Sequence, residues 1–348
     1  MKKILLTILK FSLFLTVGIV LLYLAFKGIN FNKFLEYLKN ANYWWIVLSI
    51  ILSWIAFVSR AYRWNLLIEP LGYETNLVKT YHSLMVGYLA NYAFPRIGEI
   101  TRCGTLNQAS KIPVDKLIGT VVLERVFDFI SLLVIMGFVI LAKLDFFGKF
   151  ISGYLKINIF DKLSNVINFS VYLWIIIGLI VIAFVLMVFI FKERIKKITF
   201  VRKIGKLGKG VLEGVKTVFK MKKKKEFFLH TVLIWVMYWL MTYVIVYALP
   251  STSHLGPVDG LFILVIGGLG MSAPVQGGFG AFHFIVAAGL TIYGISHEEG
   301  LAFATLLHES QSFFAIFLGG LSFLLLFLSR KKESIKDNAK NNQSLSIK

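Results

Sequence analysis

The sequence predicts an all-α polytopic membrane protein. Of the 348 residues, 57% are apolar and only 16% are charged, compared with roughly 25% charged residues in soluble domains. The mean hydropathy is +0.75. Several apolar runs exceed about 18 residues, enough to cross a hydrocarbon core of roughly 30 Å. We therefore expect about six full spans, together with two interrupted apolar segments that enter the membrane without crossing it.

The apolar runs place the full spans at 5–26, 43–68, 117–142, 168–191, 227–249 and 301–328. The first run follows two lysines, as a signal peptide does, but it lacks an Ala-x-Ala-like cleavage site and we expect it to be retained. Basic residues precede the first span, end the second, separate the fourth from the fifth and follow the sixth. The positive-inside rule then places both termini in the cytoplasm of a multi-pass inner (plasma) membrane protein.

Two apolar segments, 79–110 and 258–297, are interrupted by Gly and Pro near their middles, at 87–99 and 267–280. Their predicted positions between the spans make them re-entrant helical hairpins that face opposite sides of the membrane. Each interruption is followed about thirty residues later by Thr-x-x-x-Glu, ending at Glu124 and at Glu309. Paired interrupted segments indicate a substrate site between inverted repeats. The sequence similarity of the two halves is weak, so the repeat interpretation is left open.

We predict one transmembrane domain over 1–330, with halves 1–191 and 227–330, and a disordered cytoplasmic tail over 331–348. The segment 192–226 between the halves is strongly basic, with fourteen Lys and Arg residues from 192 to 225. It is either an amphipathic interfacial helix that contacts anionic lipid headgroups or a loop that only fixes topology. The net charge of +20 lies beside apolar spans, so we expect no nucleic-acid partner.

Three charged residues, Glu124, Arg125 and Asp128, lie inside one predicted span. Glu124 is eight residues beyond Lys116, which corresponds to a depth of roughly 12 Å. Ionisable residues at such depth indicate a functional site by default. The alternative is an internal salt bridge that locks helices together.

A second polar cluster, His308-Glu309, lies roughly 15 Å deep in the last span. Two acids near the midplane suit proton coupling or cation binding. Equally, Glu124 and Glu309 could accept backbone N–H bonds from the interrupted segments.

Four arginines, Arg60, Arg63, Arg96 and Arg102, fall on the predicted cytoplasmic side. Their planar donor groups suit a phosphate or another anionic headgroup. The alternative is that they snorkel at the interface, Arg60 and Arg63 above all, because these two end a span.

The sequence Gln276-Gly277-Gly278-Phe279-Gly280 could present backbone N–H groups to an anion. Its alternative role is tight hairpin packing through small residues. His283 follows and could titrate near neutral pH, although a hydrogen-bonded structural role is the commoner one. We find no phosphate-binding loop, no His-Glu-x-x-His and no zinc-like Cys/His spacing. We therefore expect no catalytic residues, no metal and no cofactor.

Four patterns together resemble the flippase-like family typified by the transmembrane region of lysylphosphatidylglycerol synthase. They are Arg60-x-x-Arg63-Trp64, Asn91-x-x-x-Pro95-Arg96-x-Gly98-Glu99-x-x-Arg102, Glu124-Arg125-x-x-Asp128 and Pro274-x-x-Gly277-Gly278-x-Gly280. The resemblance implies a protein that moves a lipid between leaflets, such as aminoacylated phosphatidylglycerol or a polyprenyl-linked sugar. Relatives often carry Glu where this chain has His283. The tail of about eighteen residues after the last predicted span leaves no room for a synthase domain, so we expect none.

We therefore predict a lipid flippase or transporter, not an enzyme, whose partner is a membrane phospholipid or polyprenyl lipid; a homo-oligomer is left open. The alternatives are a membrane-embedded enzyme acting on a lipid-linked substrate and a non-transporting assembly factor. In the predicted mechanism, Arg96 and Arg102 bind phosphate while Glu124 and Glu309 respond to a cation or proton. The candidate translocation residues are Arg60, Arg63, Asn91, Pro95, Arg96, Glu99, Arg102, Glu124, Arg125, Asp128, Pro274, Gln276, Gly277, Gly278, Gly280, His283, His308 and Glu309.

Overall fold

A computed structural model describes residues 2–143 and 218–346. Within these ranges the chain forms α-helices and short 3₁₀ turns, with no β-strand. The helices are α1 (Lys2–Phe26), α2 (Phe31–Lys39), α3 (Tyr43–Ile68), α4 (Leu77–Ala93), α5 (Gly98–Ser110), α6 (Val114–Ala142), α7 (Lys224–Tyr243), α8 (Pro257–Met271), α9 (Ala281–Thr291) and α10 (His297–Ser346).

Four stretches are long and apolar enough to cross a membrane: Tyr43–Leu71, Val114–Ala142, Lys224–Ala248 and His297–Ser329. They coincide with four predicted spans. The predicted span 5–26 lies within α1, which bends by 90° into α2, and this pair would make a fifth crossing. The predicted span 168–191 and most of the basic segment 192–226 lie outside the described residues. The all-α polytopic fold is confirmed.

The order of elements repeats along the chain. A long apolar helix, a pair of shorter helices and another long helix follow one another as α3, α4–α5 and α6, and again as α7, α8–α9 and α10. Both shorter pairs fall where the sequence predicts re-entrant hairpins. Their depth in a membrane and the inverted relation of the two sets stay predictions.

The first hairpin is defined by local sequence. Asn76 caps α4, its side chain accepting a hydrogen bond from the backbone N–H of Val78 at 2.8 Å. Phe94 precedes Pro95 and is extended (φ −139°, ψ 130°), because a following proline disfavours the helical conformation. Lys111 adopts a left-handed conformation with φ 58° and ends α5. We call residues 94–97 the first break.

The arms of this hairpin run antiparallel and approach closely. Lys79 near the start of α4 donates from Nζ to the carbonyl of Ala109 near the end of α5, at 2.9 Å. Beside the first break, a Cβ on Gly98 would overlap the carbonyl oxygen of Gly87. Only glycine fits at that position, and small residues of this kind let membrane helices approach.

The second hairpin is built similarly. Pro257 occupies the first turn of α8, where its missing N–H has no cost, and the Asp259 carboxylate accepts from the backbone N–H of Gly256 at 2.8 Å. The arms meet near the turn, where a Cβ on Gly270 would lie 2.9 Å from Cα of Phe282. We call residues 272–280, between α8 and α9, the second break.

The interior is apolar and α3 lies in two of its clusters. One cluster joins α3 to α5 and α6, and another joins α3 to α4 with flanking contacts from α10. Large apolar side chains are also exposed along the long helices; Val134 on α6 and Phe313 and Phe317 on α10 are each 66–69% exposed. Such faces fit contact with lipid tails.

The chain divides into two compact units, Met1–Ile135 with Met221–Lys348, and Met136–Lys220. Of the second unit, the structure describes only 136–143 and 218–220, which are mainly helical. In the first unit, α10 continues to Ser346, into the segment predicted to be a disordered tail. Residues 330–346 contain neither Gly nor Pro, the two residues that disfavour a helix most.

Candidate functional site

Arginines from α3 and α5 surround two carboxylates of α6. Arg60 is ion-paired with Glu124, and Arg63 Nη2 lies 2.6 Å from Asp128 Oδ1. Arg102 Nη1 lies 3.1 Å from the other oxygen of Glu124. Glu124 and Arg63 are fully buried. Because Arg60 and Arg63 are three residues apart and the acids are four apart, each pair projects from one face of its helix.

A more exposed rim continues this cluster. The Arg125 side chain is 44% exposed, and its nitrogens lie 3.8 Å from oxygens of Glu99, Glu124 and Asp128. Glu99 lies in the first turn of α5, where the helix dipole favours a negative charge. We call Arg60, Arg63, Arg102, Glu124, Arg125 and Asp128 the arginine cluster.

The arginine cluster lies beside an open cleft, whose empty space of about 200 Å³ includes open solvent. The cleft is lined from α4, α5 and α6 by Leu84, Gly87, Tyr88, Asn91, Gly98, Glu99, Arg102 and Arg125. Apart from its ion pair with Glu124, the buried Arg102 guanidinium has no hydrogen-bond acceptor among the described residues. Counting Glu99, four guanidinium groups face three carboxylates, which leaves an excess of one positive charge.

Aromatic and hydroxyl groups complete the cluster, and sequence reasoning did not identify their role. The Arg102 guanidinium lies over the Trp64 ring, 4.6 Å from its centre. Trp64 Nε1 donates to Thr120 Oγ1 at 2.8 Å, which explains the threonine of the first Thr-x-x-x-Glu pattern. Arg60 Nη1 donates to the Tyr238 hydroxyl of α7 at 2.8 Å. Trp64 and Thr120 belonged to patterns seen in the sequence, whereas Tyr238 did not.

The four arginines predicted to lie together on the cytoplasmic side do not all join one site. Arg60 and Arg63 do not snorkel, since they are 6% and 0% exposed and paired with acids. Arg125 joins Arg102 in lining the cleft. Arg96 is exposed and its Nη2 donates to the carbonyl of Ser272 at 2.6 Å.

The two breaks touch one another. Arg96 reaches Ser272 from a left-handed backbone conformation with φ 61°, which is uncommon for a residue other than glycine. Tyr92, just before the first break, packs against Gly277 and Phe279 of the second. Asn91 holds the same region, its side chain accepting from the Gly98 N–H at 2.7 Å.

The glycines of the second break have left-handed backbones. Gly277, Gly278 and Gly280 have φ of 55°, 79° and 79°. A Cβ on Gly280 would lie 2.5 Å from the carbonyl oxygen of Gly18 in α1. The N–H groups of Gly278 and Phe279 bond within the turn. These contacts favour the packing role over anion binding. Pro274 and Gln276 lie in the same break.

A second polar cluster forms where α9 meets α10. His283 Nε2 and His308 Nδ1 lie 3.2 and 3.1 Å from Glu309 Oε1. His308 Nε2 lies 2.9 Å from the carbonyl of Gly277 in the second break. We call His283, His308 and Glu309 the histidine cluster. Among the described residues, neither Glu124 nor Glu309 accepts a hydrogen bond from a backbone N–H of a break. Glu124 pairs with guanidinium groups, and Glu309 contacts imidazoles.

A polytopic helical fold, two touching helix breaks and charges buried inside spans define an integral membrane protein with a polar site within its spans. The chain matches the family described as the lysylphosphatidylglycerol synthase TM region over residues 8–320. It therefore belongs to that family.

A curated relative extends the comparison. The chain is 26% identical over 175 residues to the UPF0104 membrane protein MJ1595 of Methanocaldococcus jannaschii. This match covers 49% of the chain and 48% of the relative, so the chain spans about half the length of the curated protein it matches. No solved structure matches this chain.

Proposed function

We propose that the protein moves a lipid with a phosphate-bearing headgroup between the two leaflets of the plasma membrane. One observation supports this most: the arginine cluster has an excess positive charge, and two of its guanidinium groups line an open cleft. Excess positive charge inside a membrane protein is costly unless an anion offsets it. A phosphate oxygen also matches the planar donors of arginine.

In this proposal the buried residues of the arginine cluster have structural roles, and the residues that line the cleft bind phosphate. Arg60, Arg63 and Glu124 are buried and paired, so they hold the helices and set the local potential. Arg125 is half-exposed, and its ion pairs with described residues are all 3.8 Å long, so it can exchange Glu99 for an incoming phosphate. Arg102, short of acceptors, supplies further donors.

The cleft is narrow, and this limits what enters it. Its empty space of about 200 Å³ includes open solvent, so we expect only the phosphate to approach Arg102 and Arg125, while the acyl or polyprenyl chains stay in the surrounding lipid. The family description names a synthase of an aminoacylated phosphatidylglycerol, which makes such a lipid the first cargo to test. Other anionic phospholipids and polyprenyl-linked lipids share the phosphate and are the next.

The proposal includes the orientation of the chain in the membrane. With both termini cytoplasmic, the basic segment 192–226 would face the anionic headgroups of the inner leaflet. Its attraction would gather such lipids near the protein without selecting among them.

The alternative function is a membrane-embedded enzyme acting on a lipid-linked substrate, and one observation favours it. The histidine cluster brings together groups that could act as a general base or bind a metal. Formation of a chemically changed lipid would support this alternative, whereas transport leaves the lipid unchanged.

The proposal is tested by leaflet exchange in proteoliposomes. Vesicles carry a trace of fluorescent phosphatidylglycerol, and a membrane-impermeant reductant bleaches the outer leaflet. With the protein present, we expect the bleached fraction to rise above the half seen in protein-free vesicles, and Arg125→Gln to reduce the rate at least tenfold. Lys222→Gln, which removes one exposed charge outside the cluster, should match the wild type. The proposal fails if anionic, aminoacylated and polyprenyl phosphate lipids all stay in their leaflet.

A further inference from the structure

The histidine cluster contains three metal-ligating side chains from two helices. One ring nitrogen of His283, one of His308 and a carboxylate oxygen of Glu309 all lie within 4.8 Å of one another. Both histidine side chains are nearly buried, at 3% and 4% exposure, while Glu309 is 23% exposed. The cluster is therefore enclosed but reachable on one side.

The hydrogen bonds of His308 leave a place for a cation. Its Nε2 lies 2.9 Å from the carbonyl oxygen of Gly277, which can only accept, so we assign the hydrogen to Nε2. The lone pair of Nδ1 then faces Glu309 Oε1 at 3.1 Å. Two acceptors at this distance repel each other unless a proton or a metal ion lies between them.

The two distances from Glu309 fit a metal ion. Zinc binds nitrogen and oxygen at about 2.0–2.2 Å, so the ligand atoms of a tetrahedral site lie about 3.4 Å apart. The observed separations of 3.1 and 3.2 Å from Glu309 Oε1 are close to this value. A metal-ligating histidine also usually donates its other N–H to a carbonyl or carboxylate, as His308 does to Gly277.

The surroundings favour an ion held by these three side chains. The rings of Phe279 and Phe282 lie 5.1 and 4.9 Å from the His308 ring, centre to centre, and limit access of water. His283 Nδ1 has no hydrogen-bond partner among the described residues, so Nε2 makes the polar contact of that ring. Two imidazoles and one carboxylate are ligands typical of zinc and neighbouring transition metals.

We propose that His283 Nε2, His308 Nδ1 and the Glu309 carboxylate form a binding site for one divalent transition-metal ion of the zinc class. Three protein ligands leave the fourth position for water or an oxygen of another molecule. The site lies against the second break through Gly277, so an occupied site would fix that break against α9 and α10. The inference does not depend on lipid transport.

The test uses the full-length chain in detergent, purified through a tag without histidine and stripped with a chelator. Co²⁺ is the probe, because its visible spectrum intensifies when it leaves octahedral water for a four-coordinate site. We expect one Co²⁺ per chain, displaced by Zn²⁺. His283→Ala and Glu309→Gln should each weaken Co²⁺ binding at least tenfold. His82→Gln is the matched control, since His82 is partly buried and bonds Ser322 outside the cluster.

Zn²⁺ should also raise the melting temperature of the wild type and of His82→Gln, but not that of His283→Ala. This measurement reports on the folding of each variant as well as on binding. The proposal is overturned if wild-type protein leaves the Co²⁺ spectrum unchanged, which would make a proton the cation between His308 and Glu309. It is also overturned if folded His283→Ala binds Co²⁺ as tightly as the wild type.

Discussion

The arginine and histidine clusters are built on the same local pattern, yet they treat their acids differently. In both, Thr-x-x-x-Glu lies on a long helix that follows a hairpin. Glu124 is fully buried with guanidinium groups of α3, α5 and α6 within 3.8 Å. Glu309 is partly exposed and faces two imidazoles. A guanidinium only donates hydrogen bonds, whereas an imidazole nitrogen can also bind a metal ion. The first cluster is therefore built from fixed charges and the second from possible metal ligands.

This comparison predicts the largest loss of stability for Glu124→Gln. The substitution leaves Arg60, Arg63 and Arg102 buried with one carboxylate fewer, and breaking a buried ion pair costs about 3–5 kcal/mol. We expect a large fall in melting temperature in detergent, measured by tryptophan fluorescence. A melting temperature equal to that of the wild type would show that the arginine cluster does not hold the helices.

The next effect concerns how the second break is held. Gly280→Ala places a Cβ in a left-handed backbone and 2.5 Å from the Gly18 carbonyl. Gly28→Ala is the matched control, because Gly28 has φ 80° and nothing within 4 Å. Both should lose about 1–2 kcal/mol from the backbone, and Gly280→Ala about 1–3 kcal/mol more from overpacking. Equal losses in thermal melting would argue against close packing of α1 on the second break.

The smallest effect is expected for Glu309→Gln in metal-free protein. The Gln side chain keeps the size of Glu and one accepting oxygen, its amide N–H can donate to the lone pair of His308 Nδ1, and the site is partly exposed, so the loss should be about 1 kcal/mol. Melting of this variant beside Glu124→Gln tests the comparison directly. A loss as large as that of Glu124→Gln would mean that both acids are fixed structural charges.

The sequence was sufficient for the fold class and for the positions of four spans and both hairpins, because apolar length and Gly/Pro interruptions are local signals. It also placed Glu124 and Asp128 inside one span, and the structure shows Glu124 fully buried and Asp128 partly buried. Their partners are distant in the chain: Arg60 lies 64 residues from Glu124. Helix packing decides such pairing, and for this reason interfacial snorkelling was the wrong alternative for Arg60 and Arg63.

The histidine cluster was harder to predict. His283 and Glu309 are 26 residues apart, which matches no metal-binding spacing, so no motif indicated a metal site. The packing of α9 against α10 brings them together. Arg96 is a different case: its motif suggested a phosphate ligand, its exposed guanidinium contacts the Ser272 carbonyl, and the phosphate role stays a prediction.

The central claim is that Arg102 and Arg125 hold the phosphate of a lipid. Its most direct test is the amount of phosphorus-containing lipid, measured by mass spectrometry, that stays with the chain after exhaustive detergent washing. We predict about one such lipid per chain for the wild type and Lys222→Gln, and at least tenfold less for Arg125→Gln. Equal retention by folded Arg125→Gln, or none by the wild type, would contradict the account.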